Sequence, residues 1–151
     1  MSEQQYLQDI IEWDVINWSP ALNFWEQKTK HDLSSSYAME LGSRHGGLSL
    51  WLALKGSTVK CTDLNGPTKM AIEKHINYGV SSLVEYEALD AMQIPFRDKF
   101  DLIMFKSIMG GIGWDNHPNN QCQAIKGIYD ALKPGGELLF VENLVALWEL
   151  P

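Results

Sequence analysis

Cysteine is scarce in this chain: Cys61 and Cys122 are the only two, and they fall in a predicted strand and a predicted helix. Two thiols so placed read as buried and reduced, which leaves neither a disulfide framework nor a thiolate metal site. Histidine is sparse too, at four residues, and no group of His, Cys, Asp and Glu has ligand spacing, so no metal is expected. No apolar run approaches the ~20 residues that span a bilayer, and no leader segment is visible; we expect a cytoplasmic protein with no membrane partner. Positive charge is short as well, with 12 Lys and Arg against 19 Asp and Glu for a net charge of −7. A nucleic-acid backbone demands clustered cations, so nucleic acid is excluded as a partner. No internal repeat or low-complexity segment appears.

What the chain has is apolar content and alternation. At 151 residues and 45% hydrophobic it can bury one core. Its most informative stretch is Tyr37 to Asp63, which reads as strand, glycine turn, helix, strand and carboxylate. The run Tyr37-Ala38-Met39 ends on Glu40 and Leu41, and a turn follows with Gly42, Gly46 and Gly47, whose missing side chains let backbone N–H groups approach a ligand. Leu48 to Lys55 is apolar almost all round, as for a helix packed deep on a sheet, with Gly56 as its stop. The strand Thr58 to Thr62 then delivers Asp63, placed to accept hydrogen bonds from ribose hydroxyls. A pyrophosphate fingerprint needs G-x-G-x-x-G, whereas Ser43-Arg44-His45 separates the first two glycines here. In its place stands Glu40-x-Gly42-x-x-x-Gly46, an acid that repels phosphate and attracts a cationic amine or sulfonium. The pattern disfavours a nicotinamide cofactor and favours S-adenosylmethionine.

Further motifs follow in order. After the apolar strand Leu83 to Ala88 come Leu89-Asp90-Ala91-Met92 and Ile94-Pro95-Phe96; then Lys99 to Phe105 forms a fourth strand, and Ala131-Leu132-Lys133-Pro134-Gly135-Gly136 leads to a fifth, Glu137 to Asn143. With these motifs the chain resembles the class I S-adenosylmethionine-dependent methyltransferases. The resemblance implies an α/β fold, a doubly wound and mainly parallel sheet of the Rossmann-like methyltransferase type, with S-adenosyl-L-methionine as cofactor. It implies cofactor contacts from Glu40, Gly42, Ser43, Gly46, Asp63, Leu64, Asp90, Ala91, Phe105 and Lys106, with Asp63 on the ribose and Asp90 on the adenine. One departure is Arg44, where the family's glycine turn usually has its middle glycine; its side chain points either to solvent or to the cofactor carboxylate.

Residues 1–36 read as an N-terminal helical cap and residues 37–151 as the cofactor-binding core. Tyr6, Ile10 and Trp13 recur at helical spacing, and Ser19-Pro20 offers an N-cap and first-turn proline for a second helix through Leu22, Phe24 and Trp25. Gln27 to Ser36 is the linker. In the body, Pro67 to Tyr78 is a helix with Ile72 and Ile76 one turn apart, and Gln121 to Leu132 is another. Trp13, Trp18 and Trp25 either cover the cofactor or pack the cap onto the sheet, packing being the simpler role for two of them. If residues 1–36 cover the cofactor, deleting residues 1–18 is expected to leave a folded core with impaired binding or turnover, with Trp18 at a helix start where its indole can face the pocket.

The acceptor is expected to be a small molecule or biosynthetic intermediate. The alternative is a methyltransferase-like binding or regulatory protein without a productive acceptor site. No catalytic group is assigned; His117 is the candidate base, although a solvated loop histidine beside a proline is the simpler reading. The loop Met109 to Pro118 is glycine-rich, which suits either mobility over a ligand or a surface connection. His45 sits in the glycine turn, while His31 and His75 read as linker and helix-surface residues. Finally, the family's C-terminal hairpin is lacking, which leaves the fifth strand as a sheet edge followed by Leu144 to Trp148. Either the chain is the N-terminal piece of a longer enzyme, or it forms a homodimer through that edge and tail.

Overall fold

The structure is a computed structural model that describes residues 2–113 and 117–143. Three helices lead in: α1 (Glu3–Ile11), α2 (Val15–Trp18) and α3 (Pro20–Lys28). The body then alternates: β1 (Tyr37–Leu41), α4 (Gly47–Lys55), β2 (Thr58–Asp63), α5 (Lys69–Asn77), β3 (Val84–Ala88), β4 (Phe100–Lys106), α6 (Met109–Ile112), α7 (Pro118–Ala131) and β5 (Leu132–Val141). All strand pairs are parallel, in the order β3-β2-β1-β4-β5. The order reverses at β1, so the carboxyl ends of β1 and β4 open a crevice at the switch point.

Side chains alternate across β1 and β4 because successive residues of a strand point to opposite faces. Ala38, Leu102 and Met104 join one core with Ile10, Ile11, Trp18, Leu22, Trp25 and the apolar residues of α4. Met39, Leu41, Ile103 and Phe105 join the other, with Ile128 and Ala131 of α7. Helices thus cover both faces. Helix α4 is buried nearly all round through Leu48 to Ala53, and Gly56 stops it at φ 113, where its N–H reaches the Leu52 and Ala53 carbonyls.

Several expectations need correction. Ser19 holds the N-cap position of α3 with Pro20 as the first helical residue, but it is itself helical at φ −61, its N–H bonds to the Val15 carbonyl, and its side chain makes no capping bond. Trp18 therefore ends α2 rather than starting a helix. The fifth strand begins at Leu132, which pairs with Phe100, and the Lys133 to Gly136 stretch bulges out before Glu137 rejoins opposite Leu102. Gly135 takes φ 82 in that bulge, and the strand ends at Val141. On α5 the buried residues are Ala71 and His75, whereas Ile76 is 57% exposed. His75 is fully buried, with Nδ1 2.8 Å from the Tyr86 hydroxyl and Nε2 2.9 Å from the Gly46 carbonyl. Of the cysteines, Cys61 is buried but Cys122 is exposed; both are free. The tail from Leu144 to Trp148 lies outside the described residues.

Among the described residues, β5 pairs with β4 alone and stands at the sheet edge. No described helix is long and apolar enough to cross a membrane, and no metal-binding cluster occurs among the described residues.

Candidate functional site

Two cavities meet over the carboxyl ends of the strands. One, of about 320 Å³, is lined by Glu12 and Trp13 from the end of α1, by Glu40, Gly42, Ser43 and Arg44 of the glycine turn, and by Lys106 and Ile108 after β4, among others. The second, of about 710 Å³, is lined by Asp63 and Leu64 after β2, by Asp90, Ala91 and Met92 after β3, and by Gly111 and Asn120. Gly42, Arg44, Ser107 and Ile108 belong to both, so the two form one groove.

The glycine turn is held by its neighbours. Ser43 N–H donates to the Thr62 carbonyl at 2.8 Å, and Arg44 N–H donates to Asp63 Oδ2 at 2.8 Å. Gly42 has φ +61, and a Cβ there would lie 2.5 Å from Ile108 Cγ2, so the close passage of the turn under Ile108 requires glycine. Gly46 and Gly47 serve packing instead. A Cβ on Gly46 would lie 2.7 Å from the His75 ring, and one on Gly47 would lie 1.9 Å from the Ile10 carbonyl oxygen. The open side of Gly47 is thus taken by α1.

Glu40 is buried, and its carboxylate replaces the side-chain cap that Gly46 cannot give to α4. Oε2 accepts from Ser49 N–H at 2.7 Å and from the Ser49 hydroxyl, and Oε1 from Leu48 N–H at 3.3 Å. Burial pushes its pKa up to about 7, with the bonds from Ser49 opposing and the charge of Glu12 adding to the rise. Across the cavity, burial holds the Lys106 ammonium below its ordinary range while Glu12 and Glu40 oppose. Lys106 Nζ donates to the Ile11 carbonyl at 2.7 Å and lies 4.0 Å from the Trp13 ring centroid. These contacts bring the end of α1 to the site.

Most of the sequence-predicted residues gather here. Glu40, Gly42, Ser43 and Lys106 line the smaller cavity, and Asp63, Leu64, Asp90 and Ala91 the larger. Gly46 and Phe105 line neither: Gly46 faces His75, and Phe105 is buried with its ring 5.1 Å from that of Phe140. His117 is exposed at the start of α7 and lines neither cavity, so the candidate base stands apart from the groove. His45 Nδ1 lies 2.8 Å from the Thr68 hydroxyl. Ile10 and Glu12 from residues 1–36, and Ser107, Ile108 and Asn120 from the Lys106 to Asn120 segment, also line the groove; the sequence pointed to these two segments as walls of the acceptor pocket without singling out the residues. The positive φ of Ser107, at +55, has no signature in a serine.

Trp18 and Trp25 are buried as packing residues, Trp25 against Trp51 at 6.0 Å, whereas Trp13 is 40% exposed and walls the smaller cavity.

Two features bear on whether an adenosyl cofactor fits. Asp63 Oδ1 has no partner among the described residues while Oδ2 holds the turn, and the buried Ser43 hydroxyl has no oxygen or nitrogen partner among them, only the weakly bonding Cys61 thiol beside it. A buried polar atom left unpaired is costly, and a ligand in the groove would relieve it.

A parallel five-stranded sheet in this order, flanked by helices and carrying a glycine turn and strand-end acids at its switch point, is the Rossmann-like methyltransferase fold. The methyltransferase domain family's model matches residues 39–140, more than half of the chain, and the chain belongs to that family of S-adenosylmethionine-dependent methyltransferases. Solved structures agree in fold. A provisionally assigned sarcosine dimethylglycine methyltransferase from Galdieria sulphuraria superposes at TM-score 0.69 with 17% identity, covering 94% of this chain and 51% of that one. The phosphoethanolamine N-methyltransferase 2 of Haemonchus contortus, in complex with phosphomonomethylethanolamine and S-adenosylhomocysteine, gives 0.66 and 23% over 82% of this chain and 28% of that one. The 4+2 cyclase SpnF gives 0.64 and 20% over 79% and 42%. The chain therefore spans about half or less of the length of these three structures. No curated protein matches the chain.

Proposed function

We propose that the chain binds S-adenosyl-L-methionine in the joined groove and transfers its methyl group to a small-molecule acceptor. The observation that carries this reading is the convergence of Glu40, Asp63 and Asp90, from the ends of β1, β2 and β3, on two connected cavities. The neighbour from Haemonchus contortus, solved with a small phosphorylated amine and S-adenosylhomocysteine, supports both the cofactor and the size of the acceptor.

When bound, the cofactor supplies a methyl group already activated on a sulfonium sulfur. The chain's task is then placement and exclusion of water rather than base catalysis. Asp63, with Oδ1 open, accepts from the ribose hydroxyls. Asp90, whose Oδ1 takes Met92 N–H at 2.9 Å and whose Oδ2 has only a 3.5 Å contact from Gln93, reads the adenine with the backbone of Ala91. Trp13, Glu12 and Ile108 wall the smaller cavity, where the methionine end and the acceptor meet. In this reading residues 1–36 are a cap and 37–151 the catalytic core.

The exposed edge of β5, with Phe140 49% exposed, suits pairing with a second copy, which would also add a wall to the acceptor side.

Calorimetry with S-adenosylmethionine, S-adenosylhomocysteine and NAD tests the cofactor: binding of NAD in preference to the adenosyl ligands would reject the reading. Because SpnF carries the same fold and is a cyclase, turnover needs its own test. Consumption of methyl donor across amine, hydroxyl and thiol acceptors supports the transferase. Tight cofactor binding with no turnover favours the binding or regulatory alternative.

A further inference from the structure

Four charged side chains line the smaller cavity: Glu12, Glu40, Arg44 and Lys106. The acids are already engaged. Glu40 accepts from the N-terminus of α4, and Glu12 pairs with Lys74 Nζ at 3.0 Å. The cations are held by neutral groups or by none. Lys106 rests on the Ile11 carbonyl and the Trp13 ring, and the Arg44 guanidinium has no hydrogen bond or ion pair among the described residues. Glu12 and Glu40 both act on the Lys106 ammonium, so the charge facing this cavity that no partner among the described residues meets is the Arg44 guanidinium.

Arg44 is also fixed at its root. Its N–H donates to Asp63 and its carbonyl accepts from Thr68 N–H at 3.0 Å, at a left-handed φ of 48. That conformation costs an ordinary residue on the order of 1–2 kcal/mol relative to glycine. The turn thus carries a strained arginine at the place where the two cavities join.

We propose that Arg44, with Lys106 across the cavity, is a carboxylate-binding pair at the methionine end of the groove. A planar guanidinium on a rigid turn suits two parallel bonds to one carboxylate, and the Lys106 ammonium adds a point charge. The inference rests on the methyltransferase reading. The carboxylate comes either from the amino-acid arm of the methyl donor or from the acceptor.

The test compares S-adenosylhomocysteine with 5′-methylthioadenosine, which lacks the amino-acid arm, on wild type, Arg44→Gly and Arg44→Lys. Glycine relaxes at this φ, so the fold should survive; circular dichroism checks it. If the cofactor supplies the carboxylate, Arg44→Gly weakens S-adenosylhomocysteine about tenfold or more, leaves methylthioadenosine unchanged, and Arg44→Lys recovers part of the loss. If the acceptor supplies it, both nucleosides keep their affinity, but a saturable acetate titration of the S-adenosylhomocysteine complex, followed by tryptophan fluorescence, is lost in Arg44→Gly. Equal weakening of both nucleosides overturns the pair, as does unchanged affinity with no saturable acetate signal. Should wild type bind neither nucleoside, the methyltransferase reading fails separately. Acetate titration of the free protein then decides alone: a saturable signal lost in Arg44→Gly supports the pair, and its absence overturns it.

Discussion

Glu40 holds both the amide and the hydroxyl of Ser49, at 2.7 and 2.5 Å, so one carboxylate at the end of β1 serves as the N-terminal anchor of α4. The same carboxylate lines the smaller cavity. Its protonation therefore touches both stability and the site.

The sign of the pH effect follows from the raised pKa. Folded Glu40 binds its proton up to about 7, while the unfolded chain releases it near 4.5, so the native state holds more protons between those values and stability falls as pH rises through them. Glu40→Gln cannot titrate but keeps an acceptor oxygen. Urea unfolding from pH 5 to 7.5 should show wild type losing roughly 2–3 kcal/mol relative to this variant. Parallel profiles would mean that Glu40 is not the titrating group.

Asp63→Ala removes the proposed ribose acceptor and the partner of the Arg44 N–H. S-adenosylhomocysteine affinity should fall at least tenfold, as expected for losing about 1.5–3 kcal/mol of charge-assisted bonding. Asp90→Ala should cost less, since the Ala91 backbone remains. Calorimetry on both variants checks the order, and a greater loss at Asp90 would exchange their roles.

The structure changes the expectation for the N-terminal segment. Ile10, Ile11 and Trp18 are buried in the same core as α4 and β1, so deleting residues 1–18 should destabilise the whole domain rather than spare it. Trp18→Ala should cost about 3–5 kcal/mol, as for other large buried aromatics. Trp13→Ala, at 40% exposure, should cost much less stability and act chiefly on the cavity that it walls. Thermal melts of the two variants separate these roles.

Gly47→Ala places a Cβ 1.9 Å from the Ile10 carbonyl oxygen, which backbone cannot yield without moving α1. A loss of at least ~2 kcal/mol is expected. Gly110→Ala, with nothing within 4 Å of the added carbon, is the control and should change stability by less than ~1 kcal/mol. Equal effects would argue against close docking of α1 on the turn.

His117→Ala should leave both cofactor affinity and methyl-donor turnover within twofold of wild type, because the residue borders neither cavity. A large drop in turnover would return it to the chemistry.

What could be read from the sequence was local. The β1–α4–β2 unit announces itself through an apolar strand, a glycine turn, an all-apolar helix and Asp63, and these signals need no knowledge of distant contacts. The rest depends on tertiary partners. His75 looks like a surface residue until Gly46 opens a slot for its ring, and Glu12 and Trp13 look like the end of an amphipathic helix until Gly47 and Lys106 draw α1 to the groove. The run Leu132 to Gly136 reads as a turn because proline and glycine mark bends; the Leu132 pairing with Phe100 is fixed by the neighbouring strand.

The Lys106 bond to Ile11 spans 95 positions of the chain. During synthesis from the amino terminus, α1 leaves the ribosome long before β4, so the wall formed by Glu12 and Trp13 has no lysine to rest on until the fourth strand is made. The larger cavity also awaits Ser107, Ile108 and Asn120. A nascent chain truncated before Lys106 would expose Ile10, Ile11 and Trp18 without the β4 side chains that complete their core. Helix α1 can thus meet Gly47 of α4 early, but its last contact at the groove is made only once β4 supplies Lys106.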